Sequence, residues 1–296
     1  MERQFTLSCC STVDLPYSYM ESRDIPVLFY TYVVDGVEYD DDMGRDPEAL
    51  PRFYRFIREG KLPQTSQINV AAYMEFFERL LQKGDLLHIA FTSGQSGSVH
   101  NAFLAAEELR AKYPERKLVV IDSLCSSSGY GLLMDRLADL RDEGMPIDGV
   151  RDWAEAHKLE LHHWFFSTDL TFYVKGGRIS KVAGVFGGLL DICPLLNMDN
   201  LGRLIPRSKI RGKKRVMKEI VARMEEHAQG GLDYSGKCYI SQSACYDDAR
   251  AVADEIEKKF PKLNGKVEIY SVGTTIGSHT GPGTVALFFW GDERKD

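Results

Sequence analysis

The sequence predicts an α/β fold in two parts: an N-terminal α/β domain on a mainly parallel sheet, residues 1–160, and a C-terminal α+β domain, residues 161–296. Three observations predict it. Through the first half, short apolar runs of strand length alternate with amphipathic stretches, as in an open sheet wound with crossover helices. Through the second half, several apolar runs are joined by short polar turns, as in hairpins. The chain has 296 residues, 44% of them hydrophobic, enough for two modest cores.

Residues 5–9 read as the first strand, and 27–34 as the second, closed by the turn signal Asp35-Gly36. Residues 85–91 (DLLHIAF) form the third and Leu118–Asp122 (LVVID) the fourth. Between the last two, Val99, Ala102, Phe103, Ala106 and Leu109 follow a helical stripe. Residues 70–82 and 129–142 also read as helices. In the second half, 162–167 and 172–174 look like strand ends flanking a turn, and 180–190 like a helix carrying Gly184, Gly187 and Gly188. A hairpin follows, Ile192–Met198 and 203–210 around the polar turn Asp199-Asn200-Leu201-Gly202. Val216, Ile220, Val221 and Met224 mark a helix. A strand at 239–241, a helix at 247–260 and strands at 267–270 and 285–290 complete the chain.

The net charge of -6 gives no global attraction for nucleic acid or an anionic membrane. No apolar run approaches the roughly 18–20 residues of a membrane span, and Met1-Glu2-Arg3-Gln4-Phe5 lacks a secretory signal's apolar stretch. The expectation is a cytoplasmic protein without stable membrane insertion, and a monomer by default. None of the six cysteines forms a C-x-x-C pair, and no His/Cys cluster has zinc-finger spacing, so reduced and mostly buried thiols are expected. Asp40-Asp41-Asp42 reads as a solvated turn, since further calcium-loop ligands are missing. His162-His163 reads as a strand start, not a metal pair.

The segment Thr92-Ser93-Gly94-Gln95-Ser96-Gly97-Ser98 follows a strand and opens a helix. That is where ligands bind in open α/β sheets, and a helix start suits an anion. Gly94 and Gly97 permit close backbone approach, and the serines offer neutral donors; the competing reading is a simple helix cap. Pro63-Gln64-Thr65-Ser66-Gln67 precedes the next helix and, taken alone, also reads as a cap. The two loops together suit one carboxylate or phosphate. Gly97-Ser98-Val99 lacks the lysine of a P-loop, and Ser8–Asp14 has no glycine for a dinucleotide fingerprint. Gly94-Gln95-Ser96-Gly97-Ser98 nearly matches the nucleophile elbow of a serine hydrolase, with His279 and either Asp122 or Asp169 to complete a triad. Residues 276–283 read as a tight, backbone-rich loop whose His279 either donates to an anion or acts as a base. Arg178 reads as a structural ion-pair former. Arg211-Gly212-Lys213-Lys214-Arg215 is either a solvated helix start or a docking patch for a phosphate-bearing partner.

In order and spacing, these segments resemble the DegV family of fatty-acid-binding proteins along almost the whole chain. Ser11-Thr12-Val13-Asp14-Leu15 resembles the family's D-S-T-x-D-L, with Cys10 in place of the first aspartate. Thr65-Ser66-Gln67 resembles T-S-Q, and residues 93–98 resemble S-S-x-x-S-G-T/S. Gly177-Arg178-Ile179-Ser180 resembles G-R-I-S/T, and residues 276–283 resemble I-G-x-H-x-G-P-G. The resemblance implies the two-domain fold with one long-chain fatty acid between the domains. It implies that Thr65 and Ser96 hold the carboxylate, with Ser93 and His279 as second contacts and Arg211 near the head group. It also implies no cofactor and no catalysis by this chain, which would be a carrier presenting the acid to a separate fatty-acid kinase. Phe165, Phe166, Val185, Phe186, Leu189 and Leu190 are candidates for the tail's channel, each equally plausible as ordinary core.

Overall fold

The computed structural model describes residues 4–179 and 191–295. The helix expected at 180–190, with Val185, Phe186, Leu189 and Leu190, lies outside the described residues.

The chain opens with strand β1 (Thr6–Cys10), helix α1 (Tyr17–Ser22) and strand β2 (Val27–Leu28). The strand expected over 27–34 is broken at Tyr30. The Tyr30 side chain turns inward to 3% exposure, and its N–H takes the Ser11 hydroxyl at 3.0 Å in place of a strand partner. Beyond the break, β3 (Thr31–Val34) and β4 (Val37–Asp40) form a hairpin on Asp35 and Gly36, both at positive φ. Helix α2 (Ala49–Arg58) packs Phe53 and Tyr54 under that hairpin, and β5 (Gln64–Thr65) adds to it. Helix α3 (Val70–Leu81) is capped by the Asn69 side chain, which accepts from Ala72 N–H at 2.9 Å. Strand β6 (Leu86–Ala90), helix α4 (Ser98–Lys112) and strand β7 (Leu118–Asp122) follow. The first half's main sheet has the order β2-β1-β6-β7, all parallel. In α4 the stripe packs through small residues, Ala102, Ala105 and Ala106. Phe103, expected within it, is left 41% exposed at the edge of the buried arc, beside the exposed Leu104.

Helices α5 (Ser127–Asp142) and α6 (Ile147–His157) lead to β8 (Leu161–Ser167). Residues 171–175 form a short helix, α7 (Thr171–Lys175), where strand had been expected. Asp169 initiates it by accepting from both the N–H and the hydroxyl of Thr171. The hairpin β9 (Ile192–Met198) and β10 (Leu204–Arg211) is as expected, followed by α8 (Lys213–His227), β11 (Tyr239–Gln242), α9 (Tyr246–Lys259) and β12 (Glu268–Ser271). The expected tight loop at 276–283 is mostly helix α10 (Thr274–Thr280), ended by Gly281 at φ +64, before the final strand β13 (Thr284–Trp290). The second sheet runs β10-β9-β8-β13-β11-β12, antiparallel except for β11-β12.

The two main sheets share a core. One cluster joins Leu7 and Ile89 of the parallel sheet, Leu133 and Leu137 of α5, and Phe165, Tyr239 and Phe288 of the mixed sheet. Helix α5 is therefore buried on nearly every face. At ~1.5–3 kcal/mol per large apolar side chain, it is a principal tie between the halves. Helices α3 and α4 cover the other face of the parallel sheet, and α8 and α9 the other face of the mixed one. All six cysteines are free, and only Cys245 is less than fully buried.

Candidate ligand-binding site

The β6–α4 segment leaves the carboxyl end of a central parallel strand and meets the second half there. Around this point lies a cavity of about 160 Å³, lined by Tyr30, Thr65, Ser96, Arg178, Thr275 and His279 among others. One ordered water needs roughly 15 Å³, so a carboxylate with its contacts fits easily.

The polar atoms form a directed chain. An Arg178 guanidinium nitrogen lies 3.3 Å from His279 Nδ1, and His279 Nε2 lies 2.6 Å from the Thr65 hydroxyl. An arginine only donates, so Nδ1 accepts and Nε2 carries the proton. The Thr65 oxygen is then an acceptor from His279, and its own proton is left to donate into the cavity. Arg178 also donates to the Gly176 carbonyl at 2.6 Å and to the Gln95 carbonyl at 3.3 Å. Among the described residues it has no carboxylate partner, contrary to the expected structural ion pair. Burial pushes its pKa down, so the site costs the charged form and rewards an anion. The buried Tyr30 hydroxyl lines the same cavity beside Ser96 and Ser98 without a well-formed hydrogen bond among the described residues, and the Thr275 hydroxyl is drawn to the Asp41 carboxylate. The Ser96 hydroxyl donates to Ser98 Oγ at 3.1 Å and accepts from Ser98 N–H at 3.2 Å.

An apolar chamber adjoins this polar one, sharing Tyr173, Leu204 and Ile276 with it and adding Phe165, Met198 and Phe288. Strand alternation separates the two phenylalanines proposed for a tail. Phe165 faces the chamber, while Phe166 is fully buried with α8 and α9 on the opposite face.

The structure brings together Thr65, Ser96 and His279 of the residues singled out in the sequence. It does not bring Ser93 or Arg211 to them. Ser93 is exposed outside the cavity, its N–H tied to the Asp122 carboxylate. Arg211 is exposed at the far end of β10 from Leu204, seven residues or roughly 23 Å along the strand. Thr65 itself is a strand residue paired with Tyr32, and the cap of α3 is Asn69. Arg178, Tyr30 and Thr275 were missed; the lone arginine in Gly177-Arg178-Ile179 was the one available signal. Cys10 lies in a core cluster with Tyr30, its thiol near Tyr73 and His88, and does not line the cavity. Burial pushes that thiol up to about 12, so it is neutral.

The Asp40–Asp42 segment is not a solvated turn throughout. Asp41 is 2% exposed and accepts from both the N–H and the hydroxyl of Thr274, each at 2.9 Å, so it anchors the start of the helix that carries His279. Periodicity does not reveal which residue of a turn points inward.

The hydrolase geometry is not met. A triad places a carboxylate on the imidazole nitrogen remote from the nucleophile. Here that nitrogen faces Arg178, and the other bonds Thr65, not Ser96. Asp122 accepts from backbone N–H groups of Ser93 and Leu124, and Asp169 serves α7.

Burial, then the Arg178 charge, pushes the His279 pKa down to about 4. The unfolded chain, with an ordinary value of about 6.5, therefore binds more protons between those limits. Stability present above pH 6.5 is lost as pH falls toward 4. In His279→Gln the stability–pH slope in urea melts is expected to be shallower there by up to about 1.4 kcal/mol per pH unit. Identical slopes would mean that His279 is not held neutral.

Fold and cavity together define an α/β protein of two main sheets with an anion-suited polar chamber beside an apolar one. The chain belongs to the DegV family: the family model described as "Uncharacterised protein, DegV family" matches residues 10–292. A DegV domain-containing protein of Clostridium perfringens is 35% identical over 295 residues, covering 99% of both chains. A DegV lipid-binding protein from Thermotoga maritima superposes with a TM-score of 0.85 at 26% identity, covering 99% of this chain and 100% of that one. A fatty-acid-binding DegV family protein from Thermus thermophilus gives 0.85 at 25% identity, covering 97% and 99%. No helix among the described residues is long and apolar enough to cross a membrane.

Proposed function

We propose that this chain binds one long-chain fatty acid between two domains divided near residue 160, and presents its carboxylate to a separate fatty-acid kinase in the cytoplasm. In this reading the chain is a carrier that needs no cofactor and does no chemistry itself. The observation that carries it is the Arg178–His279–Thr65 chain, a half-buried guanidinium without a carboxylate partner among the described residues, whose polarity ends on the Thr65 hydroxyl proton. Ser96 supplies a second hydroxyl when its proton turns from Ser98 to the ligand, and Tyr30 carries one without a well-formed partner among the described residues. The adjoining apolar chamber, about 50 Å³, takes the first methylenes of the tail, and has to widen to hold the whole chain. At about 0.8 kcal/mol per buried CH₂, a C14–C18 chain gains on the order of 10 kcal/mol gross, reduced by ordering costs. Lipid binding in the Thermotoga relative and fatty-acid binding in the Thermus one support the ligand class. The kinase rests on the sequence resemblance.

Native mass spectrometry of the purified protein is expected to show one fatty acid per chain. A protein without bound acid and without affinity for C14–C18 acids would overturn the reading. Thr65→Ala and Ser96→Ala are each expected to weaken binding roughly tenfold, the effect of one lost hydrogen bond to a charged group. Unchanged titrations in both would remove the head group from these residues.

A further inference from the structure

A cluster of metal-ligating side chains lies apart from the cavity. His162 begins β8, His227 ends α8, and Asp292 follows β13, so three elements distant in sequence deliver two imidazoles and a carboxylate to one spot. Strand alternation separates His162 from its neighbour His163, which is why the adjacent pair in the sequence is not itself a site.

The Asp292 Oδ1 lies 3.0 Å from His162 Nε2 and 3.1 Å from His227 Nδ1, and the three donor atoms all lie within 4.8 Å of one another. The geometry is held by more than these contacts. The His162 and His227 rings stack at 4.8 Å, and Asp292 N–H donates to the His227 carbonyl at 3.0 Å. His162 Nε2 also donates to the Asp292 carbonyl oxygen at 2.8 Å, a proton that an incoming ion has to displace.

We propose that His162, His227 and Asp292 form a binding site for a divalent transition ion of the zinc type, with water completing the coordination. Tetrahedral zinc with bonds of about 2.0–2.1 Å sets its ligand atoms roughly 3.3–3.4 Å apart. The two contacts at the carboxylate need to open by a few tenths of an ångström, and the widest pair, up to 4.8 Å apart, has to close by about 1.4 Å as the part-exposed His227 ring turns out of its stack on His162. Two imidazoles with one carboxylate select zinc, cobalt or nickel over magnesium or calcium, which prefer oxygen. The ion would tie β8, α8 and the segment after β13 together.

The test is titration of the full-length protein with zinc chloride by calorimetry and by thermal melting, with magnesium chloride as control. One zinc per chain is expected, with a melting temperature raised by zinc at about 100 µM, unchanged by magnesium and restored by a chelator. His227→Gln and Asp292→Asn are chosen because neither side chain is fully buried, and each is expected to lose roughly tenfold or more in zinc affinity. The double variant, folded by its circular dichroism, is expected to lose the zinc-induced shift. No binding by the wild type, or undiminished binding by the folded double variant, overturns the site.

Discussion

Arg178→Ala is expected to weaken fatty-acid binding by roughly a hundredfold, about 2.7 kcal/mol. The guanidinium is half-buried at the polar chamber, donates to Gly176 and Gln95 carbonyls and to His279, and lacks a carboxylate partner among the described residues. A fatty-acid carboxylate would supply the missing charge, and charge-assisted contacts in a closed site are the costly ones to lose. Removing Arg178 also takes away the donor that holds His279 Nδ1 as an acceptor, so the Thr65 proton is no longer directed into the cavity. Arg178→Lys keeps the charge but not the planar fork, and should recover only part of the affinity. Isothermal titration with a C16 acid measures both. An affinity within threefold of wild type in Arg178→Ala would show that the charge does not face the head group.

Gly94→Ala is expected to destabilise the fold by about 3 kcal/mol, roughly 6–12 °C in melting temperature. A Cβ at Gly94 would stand 2.3 Å from the carbonyl carbon and oxygen of Gly202 and 2.5 Å from the Leu201 oxygen. These are backbone atoms of the β9–β10 turn, so no rotamer relieves the clash. Thr92 Oγ1 donates to the same Gly202 carbonyl at 3.3 Å. At Gly97 the Cβ would meet only the end of the Gln67 side chain, 2.8 Å away, and Gly97→Ala should be much milder. Thermal melts of the two variants separate the cases. A Gly94→Ala protein melting within 2 °C of wild type would mean that the two halves do not depend on this contact.

These two residues show how far the sequence reaches. Gly94 and Gly97 were legible as places where backbone comes close, but not to what. The partner of Gly94 is a turn more than a hundred residues away, and sequence spacing carries no information about that approach. Arg178 was visible as a cation after the turn Lys175-Gly176-Gly177. Whether it meets a carboxylate or a cavity depends on which side chains the packing of α7 and α10 brings to it. Ser93 and Arg211 entered through motif resemblance, and a motif fixes neighbours along the chain better than direction in space. Ser93 belongs to the same segment as Ser96 yet faces outward.

The sequence by itself determined the alternation of strands and helices in the first half, the hairpin of the second, the absence of a P-loop or dinucleotide fingerprint, and the family. All are local: periodicity, turn residues and ordered short motifs survive in one dimension. The tertiary structure alone decided the break at Tyr30, the inward Asp41, the helical form of 274–280 and the joining of Thr65, Ser96, His279 and Arg178 around one cavity. It did so because burial and long-range hydrogen bonds, not local propensity, choose among the conformations that such short polar segments permit.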